Sequence, residues 1–373
     1  MKTLKTLHLA SFDGNIGDNA NHDGFYKHLK QLQDFEFKID QLEIREFYWK
    51  KRFFDESFVD LVNSYDLLII GGGNYFELWV ESSPTGTSIS IELELLKNIN
   101  TPILFNALGV DPGQGASEAN IQKFRNFLDL LIERDDFISI RNDGAKKAII
   151  DYVGGKYLEH IYHTVDAGFF ADIPEPSEYY KSKKYIAINI AYDMQDVRFE
   201  NISYENFIKG FKSFIDKFLD KNLDYEIVLV PHIFRDMTFI TDLLNILDDE
   251  TRRRKVSIAP LLHGKESFKE VMSIYRGAQI VLANRFHANV CSIGMGKPTI
   301  GLVNYRQIKE LYNELNSENF VDISKEEFNL ELLEIVNTLI IRDTMNIGDS
   351  RISYSSFFLE LKNWLINKED VSR

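Results

Sequence analysis

The tripeptide Arg285-Phe286-His287 is the sharpest chemical feature of the sequence. In an extended segment successive side chains point to opposite sides, so Arg285 and His287 would share one side while Phe286 anchors on the other. A permanent cation beside a titratable imidazole suits a phosphate-bearing ligand that must also receive a proton, because His is the side chain most often used in proton transfer. The alternative is a histidine that caps a helix over Ala288–Met295. A second cation, Arg141, closes the apolar run Phe137–Ile140. Its planar fork matches a carboxylate or phosphate; an exposed ion pair is the plainer reading. His232 follows Val230-Pro231, with Arg235 and Asp236 nearby, and either binds substrate or caps the next helix.

Two glycine-bearing turns complete the set. Gly14-Asn15-Ile16-Gly17-Asp18 opens a helical stretch, and Gly71-Gly72-Gly73-Asn74 follows the apolar run Leu67–Ile70. Missing side chains let a ligand approach the backbone, and a helix start favours anions. The first turn matches neither phosphate-binding glycine fingerprint, and a tight turn with Asp18 capping the helix fits as well. Three consecutive glycines cost ~0.5–1 kcal/mol each on ordering relative to Ala, which argues for a use of Gly72, Gly73 and Asn74 beyond a slack turn. Tyr75, Phe76 and Trp79 could stack on a sugar ring, with core packing as the default reading.

These groups need elements to position them. Seven apolar runs end in polar residues: Leu7–Ala10, Leu67–Ile70, Ile103–Leu108, Phe137–Ile140, Tyr185–Ala191, Ile227–Val230 and Ile280–Ala283. Helical patterns alternate with them, as in a parallel sheet covered on both faces. Ser117 caps a helix with an Ile121, Phe124, Leu128, Leu131 face, and Tyr204–Leu219 carries Phe207, Phe211, Phe214 and Phe218. Further helices are expected over Ile308–Leu315 and Leu330–Ile341. Ligands of such sheets bind outside the carboxyl ends of the strands. The prolines and charges of Ile173–Lys184 mark a linker. The expectation is α/β, two Rossmann-like domains facing a cleft: 1–173, 182–345, and a C-terminal helix over 350–373 whose Tyr354, Phe357, Phe358, Leu361 and Trp364 pack on the body.

The 373 residues carry a formal net charge of −14, which repels nucleic acid and anionic surfaces. The run Arg252–Lys255 follows Asp248-Asp249-Glu250, so no nucleic-acid partner is expected. Any anionic substrate must meet local cations. The one cysteine, Cys291, allows neither a disulfide framework nor a cysteine metal motif, and the histidines His8, His22, His28, His160, His163 and His263 lack ligand spacing; no metal is expected. The start of the chain lacks signal-peptide features, and no run approaches the ~18 apolar residues of a membrane span. The expected location is cytoplasmic, with the inner face of the membrane as an open alternative, and a homo-oligomer is allowed.

Taken in order, Gly14–Asp18, Gly71–Asn74, Ala107-Leu108-Gly109, Ile138–Arg141 and Arg285–His287 before Gly296-Lys297-Pro298 resemble the polysaccharide pyruvyl transferase family over residues 13 to 309. The resemblance implies a GT-B-like architecture. It implies phosphoenolpyruvate as donor, with no further cofactor, and a saccharide diol as acceptor, lipid-linked or not. The product would be a pyruvate ketal in cell-surface or exopolysaccharide biosynthesis. By the same resemblance Arg141, Arg285 and His287 match donor-binding and catalytic positions. Asn15, Asp18 and Asn74 match cleft-lining positions, and Tyr305 and Lys309 a Tyr…Lys element. In the family the strand-end Arg is often followed directly by an acid, whereas here Asn142 precedes Asp143. The alternative reading is a GT-B glycosyltransferase using a nucleotide sugar, because a fold does not fix a function.

Overall fold

The computed structural model describes residues 1–339 and 347–371. The chain divides into two compact units. The first comprises Met1–Phe12, Gly24–Ala167 and Gly348–Arg373; the second comprises Asp13–Asp23 and Gly168–Ile347.

The first unit holds a six-stranded sheet built from β1 (Lys2–Ala10), β2 (Phe35–Glu43), β3 (Leu67–Gly71), β4 (Ile103–Leu108), β5 (Phe137–Ile140) and β6 (Ile161–His163). The strand order is β2-β1-β3-β4-β5-β6, and every pairing is parallel. The inner strands β3, β4 and β5 are buried along their whole length, as covering both faces with helices requires. The helix Glu118–Glu133 starts at Ser117, whose side chain accepts the Asn120 N–H, and buries Ile121, Phe124, Leu128 and Leu131. The C-terminal helix Gly348–Val371 belongs to this unit. Its Phe357 and Trp364 meet Phe137 with ring centroids 5.7 and 5.5 Å apart, Phe358 meets Phe25, and Trp364 Nε1–H donates to the Asp135 carbonyl.

The second unit repeats the design with β7 (Tyr185–Asn189), β8 (Glu226–Leu229), β9 (Val256–Ile258), β10 (Ile280–Ala283), β11 (Thr299–Val303) and β12 (Phe320–Asp322). The order is β9-β8-β7-β10-β11-β12, again all parallel. This is the doubly wound arrangement, with the order reversing between β7 and β10. The helix Tyr204–Lys221, capped by Ser203, drives Phe207, Phe211, Phe214 and Phe218 into the core with Phe239 and Phe328.

Residues 13–23 group with the second unit because Ile16 and Ala20 share a buried cluster with Ala187, Val281, Ala288 and Cys291. The helix expected over Ala288–Met295 starts earlier, as Phe286–Gly294. Arg285 is the extended residue before it (φ −84°, ψ 143°), so Phe286 and His287 form its first turn and the strand-like alternation of these three side chains does not hold. The helix expected over Leu330–Ile341 spans Phe328–Leu339, and residues 340 and 341 lie outside the described residues.

Candidate functional site

The carboxyl edge of the second unit's sheet is bound together by asparagines. Asn189, the last residue of β7, accepts the Arg285 backbone N–H at 2.9 Å and donates to the Val230 carbonyl at 2.9 Å. Asn284 accepts the Ala191 N–H at 2.9 Å and donates to the Leu302 carbonyl at 2.6 Å and to Asn304 Oδ1 at 2.8 Å. Four strand ends are thereby fixed around the point where the order reverses. Their backbone groups have side-chain partners where the ladder stops.

Arg285 projects from this frame. Its Nε and Nη2 donate to the two carboxylate oxygens of Asp236 at 2.8 and 2.5 Å, and Nη1 donates to Asp193 at 3.3 Å. Asp236 also accepts the His232 and Ile233 backbone N–H groups, at 2.9 and 3.2 Å. Arg198 lies alongside, donating to Asp193 at 3.3 Å and Asn304 at 2.9 Å, with its guanidinium 5.2 Å from the Tyr305 ring centre. Burial by itself lowers the Arg285 pKa; the hydrogen bonds and charge of Asp236, with Asp193, outweigh it and raise it. Burial likewise pushes the Asp193 carboxyl up, and the charges of Arg285 and Arg198 bring it below its ordinary range. Both groups are therefore held charged in a mostly buried network.

His287 stands two residues on. Its Nδ1 lies 3.7 Å from Asp18 Oδ1, an ion-pair distance beyond hydrogen-bond length. Gly17 lies directly against the ring: a Cβ on that residue would sit 2.5 Å from Nδ1. Only a hydrogen fits between the two helix starts. Asn15 caps the helix Ile16–Leu29, its Oδ1 accepting the Gly17 N–H at 3.0 Å. Asp18, in the first turn of that helix, faces the imidazole.

His232 is sealed in the interior, with Nε2 2.7 Å from the Tyr275 hydroxyl. Burial first, then the charges of Arg285 and His287, push its pKa well down, so it stands as a neutral prop beside the network. Tyr305 is buried beneath Arg198, whereas Lys309 lies on the exposed face of the helix Arg306–Glu314.

In the first unit the predicted residues also meet at the carboxyl edge. Arg141 donates to Asp143 at 2.8 Å and to Asp166 at 3.1 Å, and all three are buried. Asn142 does not displace the acid: it accepts the Asp166 N–H at 2.9 Å, and Asp143 turns back onto Arg141. Gly109 is the floor of this cluster. A Cβ there would meet Asn74 Oδ1 at 2.4 Å, Asp143 Oδ2 at 2.7 Å and Arg141 Nη2 at 3.2 Å. Asn74 donates to Asp111 at 3.2 Å. The glycine turn is anchored: the Gly72 N–H donates to the Asn106 carbonyl at 3.0 Å, and the Gly73 carbonyl accepts the Gly109 N–H at 3.1 Å. Tyr75 and Phe76 are core residues.

Sequence reasoning missed several members of these clusters: Arg198, Asn189 and Asn304 in the second unit, Asp166 and Asn106 in the first. Asn106 and Asn189 left a trace, each being an amide inside an otherwise apolar strand run. Asn106 is buried, and neither of its side-chain polar atoms has a hydrogen-bond partner among the described residues. The next residue, Ala107, has φ +47°, where β4 slips register against β5. Strained backbone and unsatisfied buried amides concentrate at functional sites. Among the described residues no three His, Cys, Asp or Glu side chains are grouped to hold a metal ion.

Comparison with solved structures supports the fold. The S. aureus MnaA–UDP co-structure aligns with 98% of this chain and 97% of its own, at 12% identity and a TM-score of 0.58. The Methanocaldococcus jannaschii UDP-GlcNAc 2-epimerase in complex with UDP-GlcNAc and UDP aligns with 96% and 99%, at 10% identity and a TM-score of 0.55. The architecture is the GT-B-like pairing of α/β units. None of the curated proteins compared matches the chain significantly. The model of one family, Polysaccharide pyruvyl transferase, matches residues 15–305, a span that takes in Asn15, Asp18, Asn74, Arg141, Arg285 and His287. The chain belongs to the polysaccharide pyruvyl transferase family.

Proposed function

We propose that the protein transfers pyruvate from phosphoenolpyruvate to two hydroxyls of a sugar, forming a cyclic ketal and releasing phosphate. The observation that carries this reading is the Arg285–His287 start of helix Phe286–Gly294. There a guanidinium fixed by Asp236 and Asp193 and an imidazole facing Asp18 stand two residues apart at the strand-order reversal. Phosphoenolpyruvate brings a phosphate and a carboxylate. Three of the five guanidinium N–H groups of Arg285 go to carboxylates, and the proposal assigns the donor's phosphate to the other two. The helix start adds its own preference for negative charge.

In the proposed reaction His287 delivers a proton to the methylene carbon of the donor, which makes C2 electrophilic. One sugar hydroxyl adds to C2, the C2–O bond to phosphate breaks, and the second hydroxyl closes the ring. Of the two hydroxyl protons released, one replaces the proton that His287 gave up and the other leaves on the phosphate as hydrogen phosphate. Arg285 stabilises the phosphate as charge builds on it. Arg141, held by Asp143 and Asp166, takes the corresponding part at the edge of the first unit, with Asn74, Gly72 and Gly73 beside it. Residues 1–173 are proposed as the acceptor side and 182–345 as the donor side. Asn15, Tyr305 and Lys309 are proposed as supporting positions and His232 as a neutral neighbour of the donor. The proposed setting is cell-surface or exopolysaccharide assembly on the cytoplasmic side of the membrane.

The test is phosphate release from phosphoenolpyruvate in the presence of a hexoside. His287→Ala should lower the rate by ~100-fold or more, the low end for a lost general acid. Full activity in that variant removes His287 from the mechanism. Thermal stabilisation by UDP- or GDP-sugars but not by phosphoenolpyruvate would favour a glycosyltransferase instead.

A further inference from the structure

Between Phe47 and Phe54 the chain reads Phe-Tyr-Trp-Lys-Lys-Arg-Phe-Phe, with three cations and no acid in a protein of net charge −14. The segment follows β2 at the carboxyl edge of the first unit's sheet. It is divided into an inside and an outside. Phe47 stacks on Phe54 with ring centroids 4.2 Å apart, and both pack edge-on against Phe58, anchoring the two ends. The rings between face outward: Tyr48, Trp49 and Phe53 are 44, 54 and 59% exposed. Lys50, Lys51 and Arg52 are exposed among them, with the Lys51 ammonium 5.0 Å from the Trp49 ring centre. Lys50 sits at φ +57°, and the turn is closed by the Lys51 and Arg52 N–H groups on the Glu46 carbonyl, so the outward rings are held by backbone.

Three large rings in water are costly, and the hydrophobic core beneath already has its own aromatic triad. Trp and Tyr interleaved with Lys and Arg are the side chains that settle at a membrane–water interface. Arg52 donates to Glu46 at 2.5 Å, whereas Lys50 and Lys51 have no carboxylate partner among the described residues. In the other basic run, Arg252–Lys255, every arginine is paired. Arg252, Arg253 and Arg254 pair with Asp249 and Glu250 on their own helix, and no aromatic interrupts the run. We propose that the Tyr48–Phe53 surface docks on an anionic lipid bilayer, with the rings entering the headgroup region and Lys50 and Lys51 meeting lipid phosphates. No helix among the described residues is long and apolar enough to cross a membrane, so this is attachment in the plane of the interface. The surface is tied to the sheet edge: the Arg45 guanidinium donates to Ser11 Oγ, and the Ser11 N–H donates to Tyr75, next to the Gly71–Asn74 turn. If the proposed function holds, an acceptor carried on lipid is met at this edge.

The full chain is mixed with vesicles of phosphatidylcholine alone, or of phosphatidylcholine with phosphatidylglycerol, and floated on a density gradient. The expected result is flotation with the anionic vesicles only, lost between ~0.1 and ~1 M salt as the screening length falls from about 10 to about 3 Å. Lys50→Ala with Lys51→Ala should weaken partitioning about thirtyfold, and Trp49→Ala with Phe53→Ala about tenfold or more. Both double variants should keep the parent's melting temperature and its phosphate release with a soluble hexoside. Equal flotation on neutral vesicles, no flotation on anionic ones, or variants that partition like the parent each overturn the proposal. So does a dimer in solution that the aromatic variant abolishes, since a second copy would then be what covers the surface. Flotation needs neither donor nor turnover, so a failed transferase assay leaves its outcome readable.

Discussion

Gly17→Ala separates the packing of His287 from its chemistry. The added methyl would lie 2.5 Å from His287 Nδ1 and 2.6 Å from its Cβ, whereas ordinary contact begins near 3.4 Å. The imidazole must therefore retreat by roughly 1 Å, or the helix Ile16–Leu29 must shift with it. Two stability terms oppose each other. Overpacking costs ~1–3 kcal/mol, while replacing Gly by Ala inside a helix returns ~1 kcal/mol. The net loss is ~0–2 kcal/mol, a fall in melting temperature of only several degrees for a chain of this size. The rate is far more exposed, because a 1 Å misplacement of a reacting group can cost ~100-fold. The expectation is phosphate release slowed ~100-fold in a protein that still melts cooperatively near the parent temperature. Combining Gly17→Ala with His287→Ala supplies the control. Once the imidazole is gone the rate should no longer depend on residue 17, so the double variant should be no slower than His287→Ala alone. Undiminished activity in Gly17→Ala, or two losses that multiply in the double variant, would refute the claim that Gly17 acts through His287.

Asp236→Asn removes the charge that holds the Arg285 fork and should destabilise the protein by ~3–5 kcal/mol, as for a broken buried pair; an unchanged urea midpoint would mean that Arg285 does not depend on it. Burial raises the Glu77 carboxyl, the Ser88 hydroxyl opposes, Asp111 adds to the rise and Arg45 opposes, leaving it pushed up to about 7. Its folded-state pKa then exceeds the unfolded one, so the folded state retains a proton that the unfolded state releases. Stability should fall by up to ~3 kcal/mol as pH climbs from about 4.5 to about 7 and then level off. Glu77→Gln should abolish that component, which urea midpoints on either side of the window would reveal.

How much of this was legible depended on whether a residue's role is local. The runs Leu67–Ile70, Ile103–Leu108, Phe137–Ile140 and Ile280–Ala283 are strands because unbroken apolar runs between helices have no other place to be buried. The signal for β2 was present but of another kind: Phe35-Glu36-Phe37-Lys38-Ile39 alternates apolar and polar residues, the period of a half-buried edge strand, and a reading confined to continuous apolar runs passes over it. β12 has three residues, too few to show a period. The helix start at Ser117 was visible from its cap residue, whereas the start at Phe286 has no side-chain cap, and that hid the first-turn position of His287. The siding of residues 13–23 with the second unit could not be read, since it follows from Ile16 and Ala20 meeting Ala288 and Cys291, contacts far apart in the chain.

The same distinction explains what the reading of the cations left out. Arg285 and Arg141 stood out as positive charges suited to an anionic ligand in an acidic protein. In the structure each is fixed by two carboxylates, Asp236 and Asp193 for one, Asp143 and Asp166 for the other. A guanidinium buried alone would cost several kcal/mol, so the acids are what allow either cation to sit inside the fold at all. Their presence also changes what the cations can offer. Neither cluster is a region of bare positive charge that collects anions from a distance. On the proposed function each would offer N–H groups whose directions are set in advance, the property that stabilises charge as it develops in a reaction rather than charge already present in the bound substrate. If the proposed function holds, a chain of net charge −14 works on its anionic donor on those terms, because aim rather than net potential does the selecting.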